Sequence, residues 1–271
     1  MCSSTWPKSG SIFLCWQPVW SEKKKGYELQ EIEINSTPTR RIKVLVARPM
    51  APGATAHPAV VCIHGHGGNR QIVHDPNSLY RGFAAALAER GFVTISADVG
   101  QHTVYEENRT LMGERLWDLM RCVDYLESLP EVDKSRIGCG GLSLGGEMAM
   151  WLGAMDTRIS ATASCGFLTK MDQMEHNHCM CWKFDGLREL VDFADIYSLT
   201  APRALLCQNG LQEPPSQFPV PLAAEALREI GLIYADYGQR QNAALLAHLE
   251  GHIINLRGLL AFFEETLEDA R

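Results

Sequence analysis

The chain has 271 residues, which is long enough for one large α/β domain with a substantial core. Its formal net charge is −7 and it carries no basic block, so the sequence predicts neither a nucleic-acid partner nor a membrane partner. Apolar residues 11–16 are too short for a membrane span and lack the basic flank of a signal peptide. Several of the nine cysteines lie in apolar runs, where cysteine behaves as a small hydrophobic residue, and this usage favours a cytoplasmic protein.

The N-terminal residues differ in composition from the rest of the chain. Residues 1–26 contain three tryptophans and the charged run EKKK, which predicts an irregular surface arm that is a candidate for homo-oligomer formation. Residues 27–271 contain no linker or repeat and are predicted to form a single domain. Residues 27–35 and 41–48 alternate in polarity, as expected for an antiparallel hairpin at a sheet edge.

From residue 58 onward, apolar strands alternate with helices. The predicted buried strands are 58–63, 92–97, the stretch that ends near residue 142, 159–165, 203–208 and 243–249. The predicted helices are 79–90, 113–129, the stretch that follows residue 143, 220–237 and 255–270. This alternation indicates an α/β fold with a mostly parallel sheet covered on both faces. Residues 166–200 interrupt the pattern and are predicted to form a small lid or cap insertion over the active site.

The most informative motif is GLSLG at residues 141–145, which lies between an apolar strand and an apolar helix. This is the strand–turn–helix setting of a nucleophile elbow. Glycines on either side allow the close backbone approach that the sharp turn requires, and the helix directs its positive end at the serine. The motif predicts that Ser143 is a catalytic nucleophile.

A serine hydroxyl needs a base, and the base needs an orienting acid. On this type of sheet, both should follow the serine, in the order acid and then histidine. Glu213 is the only carboxylate in the loop after residues 204–208, although aspartate is commoner in that position, and Asp195 is an alternative that precedes the strand. His252 follows the last strand, whereas His248 lies within it and is better explained as structural.

The oxyanion hole requires backbone N–H donors that are fixed before the reaction. We expect one from Leu144, directly after the nucleophile, and one from His66 or Gly67 in the glycine-rich loop after the first buried strand. A metal site at His64 and His66 is disfavoured, because two histidines two residues apart on a turning loop make a poor ligand set.

The lid contains an unusual stretch, MEHNHCMCW, at residues 174–182. Its histidines and its cysteines are each spaced two residues apart, which does not match the spacing of structural zinc sites. This spacing therefore predicts no metal site. We expect instead that this stretch lines the substrate pocket, with His176, His178 and Trp182 contacting the acyl or alcohol group.

In combination, HGHGG after a strand, GLSLGG at the elbow, an acid loop after APRALL, and EGH before the last helix resemble the α/β-hydrolase superfamily. Within it, the chain is similar to the dienelactone-hydrolase and acetyl-xylan-esterase-like group over about residues 40–268. The resemblance implies an eight-stranded α/β-hydrolase sheet and ester hydrolysis without a cofactor. It implies Ser143 as nucleophile, His252 as base and Glu213 as acid. A true dienelactone hydrolase has a cysteine nucleophile, so the serine argues against dienelactone as substrate.

The sequence thus predicts a serine carboxylesterase that forms an acyl-enzyme intermediate. The resemblance implies a short acyl group, such as acetyl, on a small-molecule or carbohydrate ester. One alternative is a peptidase or amidase on the same fold, although oligopeptidases with this domain usually carry a large N-terminal propeller. Another is an inactive hydrolase fold used for binding, which would be expected to lack a triad residue.

Overall fold

The computed structural model describes residues 14–50, 56–176 and 178–268. The strands are β1 Trp16–Lys23, β2 Tyr27–Asn35, β3 Arg41–Pro49, β4 His57–Ile63, β5 Val93–Ala97, β6 Val132–Leu142, β7 Ile159–Cys165, β8 Ala204–Gly210 and β9 Ala243–His248. The α-helices are α1 Phe83–Ala88, α2 Leu111–Ser128, α3 Leu144–Met155, α4 Met171–Met174, α5 Leu187–Leu190, α6 Phe193–Ser198, α7 Val220–Asp236 and α8 Leu256–Leu267. Short 3₁₀ helices span Ile72–His74, Met180–Trp182 and Arg240–Asn242.

The described strands form one nine-stranded sheet in the order β1-β2-β3-β5-β4-β6-β7-β8-β9. The β1–β2, β2–β3 and β3–β5 pairs are antiparallel, and all the remaining pairs are parallel. The mostly parallel α/β fold is therefore confirmed. The expected number of eight strands is corrected to nine, because Trp16–Lys23 pairs along β2 instead of forming the irregular arm predicted for residues 1–26. Residues 1–13 of that arm lie outside the described residues.

Helices cover the sheet on both faces, as the alternation of elements predicts. Along β4, Val60 and Cys62 pack into the apolar cluster that contains α1 and α8, whereas Val61 and Ile63 pack into the cluster that contains α2, α3, α6 and α7. Successive side chains of a strand point to opposite faces, so burial on both faces requires a continuous apolar run. Helix α1 is shorter than the predicted 79–90, because Gly82 adopts a left-handed conformation with φ of 62° just before it.

The interruption at residues 166–200 consists of α4, a 3₁₀ turn, α5 and α6. It begins directly after β7, at the carboxyl edge of the parallel strands, and its last part belongs to the core, since Phe193 and Tyr197 are fully buried. Asp195 accepts a 2.8 Å hydrogen bond from the backbone N–H of Asp192 and completes the N-terminal cap of α6. Among the described residues, no helix is both long and apolar enough to cross a membrane.

Candidate active site

Ser143 lies on a sharp turn between a strand and a helix. Ser143 joins the end of β6 to the start of α3 with φ of 63° and ψ of −125°, a strained region for a residue with a side chain. Its backbone N–H donates a 2.9 Å hydrogen bond to the carbonyl of Cys165 at the end of β7. A Cβ on either Gly141 or Gly145 would overlap the carbonyl oxygen of Ile63, so both flanking positions require glycine. The turn thus holds Ser143 at the carboxyl edge of the sheet.

Glu213 and His252 are joined by a hydrogen bond. The Nδ1 atom of His252 lies 2.8 Å from Oε1 of Glu213, whose carboxylate is buried. The loops that carry them are joined as well: the N–H of Leu211 donates to the carbonyl of His248 at 2.7 Å, and the N–H of Gln212 donates to the carbonyl of Glu250 at 3.1 Å. Because both loops extend paired neighbouring strands, β8 and β9, the acid and the histidine are held in register. Asp195 is occupied in the cap of α6, and His248 lies at the end of β9.

A pocket of about 280 Å³ brings most of the predicted site residues together. Its walls include Ser143, Leu144, His252, His66 and His178. Leu144 is the first residue of α3, so its N–H belongs to the turn of the helix that has no intrahelical acceptors.

An aromatic side chain from the connection between β8 and α7 packs against the histidine ring. The ring of Phe218 stacks on His252, with centroids 5.5 Å apart and an interplanar angle of 19°. The ring of His178 in turn contacts Phe218 at 5.2 Å, and its Nε2 donates to the carbonyl of Ser216 at 2.9 Å. His178 therefore supports the wall that holds His252.

The structure corrects the expected roles of the two other lid residues. Trp182 is 1% exposed and packs edge-on against Phe193 with ring centroids 5.5 Å apart, so it belongs to the core and not to the pocket wall. His176 is exposed on the lid and also lies outside the set of described residues that line the pocket. Of the three predicted substrate contacts, only His178 lines the pocket.

Sequence reasoning missed a buried acid in the pocket wall. Glu147 lies one helical turn after Ser143 and is 2% exposed, and its Oε1 has no hydrogen-bond partner among the described residues. Burial raises the pKa of Glu147 to about 8, and the positive charge of Arg115 acts in the opposite direction. Acidic residues are common in the first turn of a helix because they interact favourably with the helix dipole. The sequence therefore gives no reason to place Glu147 in the pocket.

The structure also assembles a group of metal-binding side chains that the sequence analysis did not combine. The ligand atoms of His66, His102, Cys179 and Cys181 all lie within 4.8 Å of one another. The spacing of His64 and His66, and separately the spacing of the lid histidines and cysteines, predicts no metal site. Spacing within one segment does not show which loops meet in the folded chain. His64 itself is buried, and its Nε2 accepts a 3.0 Å hydrogen bond from the N–H of Val99, so it has a structural role.

Comparisons with known proteins agree with this architecture. Residues 42–177 match the family model described as "Dienelactone hydrolase family". The chain is 25% identical over 222 residues to "Putative hydrolase YtaP" of Bacillus subtilis strain 168, which covers 72% of this chain and 73% of that protein.

Solved structures of esterases share the fold. A putative acetyl xylan esterase from Bacteroides fragilis superposes with a TM-score of 0.72 at 19% identity, covering 94% of this chain and 78% of that one. A glucuronoyl esterase from Solibacter usitatus superposes with a TM-score of 0.74 at 15% identity, covering 97% and 88% respectively. At these identities the likeness shows the shared fold alone.

Proposed function

The chain belongs to the dienelactone hydrolase family of the α/β-hydrolase superfamily, and we propose that it is a serine carboxylesterase with the triad Ser143, His252 and Glu213. One observation carries the proposal: a histidine hydrogen-bonded at 2.8 Å to a buried carboxylate lines the same pocket as a serine on a strained elbow. These are the partners that an otherwise unreactive hydroxyl needs in order to become a nucleophile.

In the proposed reaction, the Oγ of Ser143 attacks the ester carbonyl while His252 takes the hydroxyl proton. Glu213 holds the tautomer in which Nδ1 of His252 carries the hydrogen, and it stabilises the imidazolium that forms. The backbone N–H groups of Leu144 and His66 stabilise the negative charge on the carbonyl oxygen. The ester C–O bond then breaks and the alcohol leaves with the proton from His252. Water, deprotonated by the same histidine, hydrolyses the acyl-enzyme and releases the acid.

We further propose that the substrate carries a short acyl group, such as acetyl, on a carbohydrate or another small alcohol. A pocket of about 280 Å³ at the serine supports a small acyl group. Two solved structures with this fold are named as acetyl xylan esterases, which supports an acetyl group on a sugar, and others are named as glucuronoyl esterases. A serine at the elbow, in place of cysteine, argues against dienelactone as the substrate.

Labelling with a fluorophosphonate probe tests the nucleophile. We expect the wild-type protein to take up one label and Ser143→Ala to take up none while remaining folded. Ser160→Ala is a matched control, because that half-buried side chain donates a 2.8 Å hydrogen bond to the carbonyl of Ser135 and is not among the described residues that line the pocket. Absence of labelling on folded wild-type protein would favour an inactive binding protein. Faster cleavage of an acetyl anilide than of p-nitrophenyl acetate would favour an amidase.

A further inference from the structure

We propose that His66, His102, Cys179 and Cys181 form a tetrahedral zinc site that ties the lid to the loops beside the nucleophile. The proposal concerns metal binding and does not depend on the esterase function. The four side chains converge on one point from three separate segments of the chain.

The distances between the ligand atoms suit a single ion. Nε2 of His66 lies 3.1 Å from Sγ of Cys181, and Nε2 of His102 lies 3.2 Å from Sγ of Cys179. In a tetrahedral site with Zn–N near 2.0 Å and Zn–S near 2.3 Å, neighbouring ligand atoms are separated by about 3.3–3.8 Å. Since no pair of ligand atoms is further apart than 4.8 Å, shifts of about 1 Å in side chains complete the tetrahedron.

The donor set selects the kind of metal. Two imidazole nitrogens and two thiolate sulfurs are the ligands of a structural zinc ion, whereas Mg²⁺ and Ca²⁺ prefer oxygen. A guanidinium contacts one of the sulfurs, since Nη1 of Arg115 donates to Sγ of Cys181 at 3.5 Å. Hydrogen bonds of this kind to ligating sulfur commonly orient and stabilise the ligands of a metal site.

The topology explains what the ion would do. His66 follows β4, His102 follows β5, and both cysteines belong to the lid that follows β7. An ion at this point would therefore connect the lid to two loops at the carboxyl edge of the sheet. His66 and Cys179 also line the pocket that contains Ser143, so the ion would fix one wall of that pocket. Four protein ligands close the coordination sphere, and the site therefore stabilises structure instead of binding substrate.

Metal titration of the full-length protein tests the site directly. The reduced protein is freed of metal with a chelator and titrated with Zn²⁺, and with Co²⁺ as a spectroscopic substitute. We expect one ion per chain and a cobalt spectrum of tetrahedral type with thiolate-to-cobalt charge-transfer bands. The double variant Cys179→Ser/Cys181→Ser should lose these bands, and His102→Ala should weaken zinc binding by about 100-fold or more, beyond the loss typical of outer-shell variants.

His176→Ala is the matched control, because His176 is an exposed histidine of the same lid that lies outside the cluster. It should bind metal like the wild type. Zinc should also raise the melting temperature of the wild type and of His176→Ala, but not that of the double variant. Three results would each overturn the proposal: a stoichiometry well below one, a cobalt spectrum without thiolate bands, or an unchanged spectrum in the double variant. None of these readouts uses turnover, so they stay informative even if the esterase proposal fails.

Discussion

Replacing Glu213 by Gln isolates the contribution of the carboxylate charge at nearly constant shape. In the proposed mechanism an imidazolium would form on His252 beside this buried carboxylate, with Nδ1 and Oε1 2.8 Å apart. Two unit charges with centres about 4 Å apart attract by about 4 kcal/mol at an effective dielectric constant of about 20. Since about 1.4 kcal/mol corresponds to a tenfold change in rate, we expect kcat for p-nitrophenyl acetate to fall by about 1,000-fold.

The measurement compares initial rates of the wild type and the variant at saturating substrate, with circular dichroism to verify folding. Glu250→Gln is the matched control, since Glu250 lies close to His252 in the chain but forms an exposed ion pair with Arg81 at 2.8 Å. Exposed ion pairs of this kind contribute little to protein stability, so we expect the control to fold normally and to keep a nearly unchanged kcat. If Glu213→Gln kept wild-type turnover, Glu213 would not be the acid of the triad.

Three further predictions concern the surroundings of the triad. Gly166 has φ of +58° and an added Cβ would lie 2.9 Å from Cε1 of His252, so Gly166→Ala should lower kcat at least about tenfold. Gly186 has φ of +82°, and no described atom lies within 4 Å of an added Cβ, so Gly186→Ala should carry the same backbone strain but keep kcat. Equal losses of kcat in the two variants would contradict a role for the contact between position 166 and His252. Burial raises the pKa of Glu147 to about 8, so the folded protein retains a proton that the unfolded chain releases near pH 4.5. As the pH rises from about 4.5 to 8, the free energy of unfolding of the metal-free wild type should therefore fall by a few kcal/mol relative to that of Glu147→Gln. Urea titrations measure both values, and parallel curves of unfolding free energy against pH would refute this. Finally, kcat/KM for p-nitrophenyl esters should fall as the acyl chain lengthens, because the pocket is about 280 Å³; a steady rise would exclude a short-acyl preference.

The sequence alone predicts the parts of the site that depend on local sterics and on chain order. The turn at Ser143 is one of these, because a side chain at position 141 or 145 would overlap the carbonyl oxygen of Ile63. The placement of Glu213 and His252 on loops after successive late strands follows from the order of residues expected for this sheet. Their 2.8 Å hydrogen bond, however, depends on backbone pairing between the two loops, which no local pattern reveals.

Features made by contacts between distant segments could not be predicted in this way. In strand β1 buried and exposed side chains do not alternate, because every residue after the first is exposed. Its strand conformation follows from pairing with β2. Trp182 lies in a stretch rich in polar and reactive residues, yet its ring packs in the core. In the cluster of histidines and cysteines, His102 contacts Cys179 across 77 residues of sequence, and His66 contacts Cys181 across 115 residues. Spacing rules for ligands in one segment therefore do not apply.

The position of the histidine loop at the border of the sheet has a consequence for how activity is lost. Strand β9 is the last strand and pairs only with β8 among the described strands, whereas β6, which carries Ser143, lies between β4 and β7. Local opening free energies are lowest where few contacts hold an element. We expect amide hydrogens of β9 to exchange faster than those of β6, and turnover to disappear at urea concentrations that leave the central strands protected. Ser143 would then keep its turn between β6 and α3 after local unfolding has displaced His252, its proposed base.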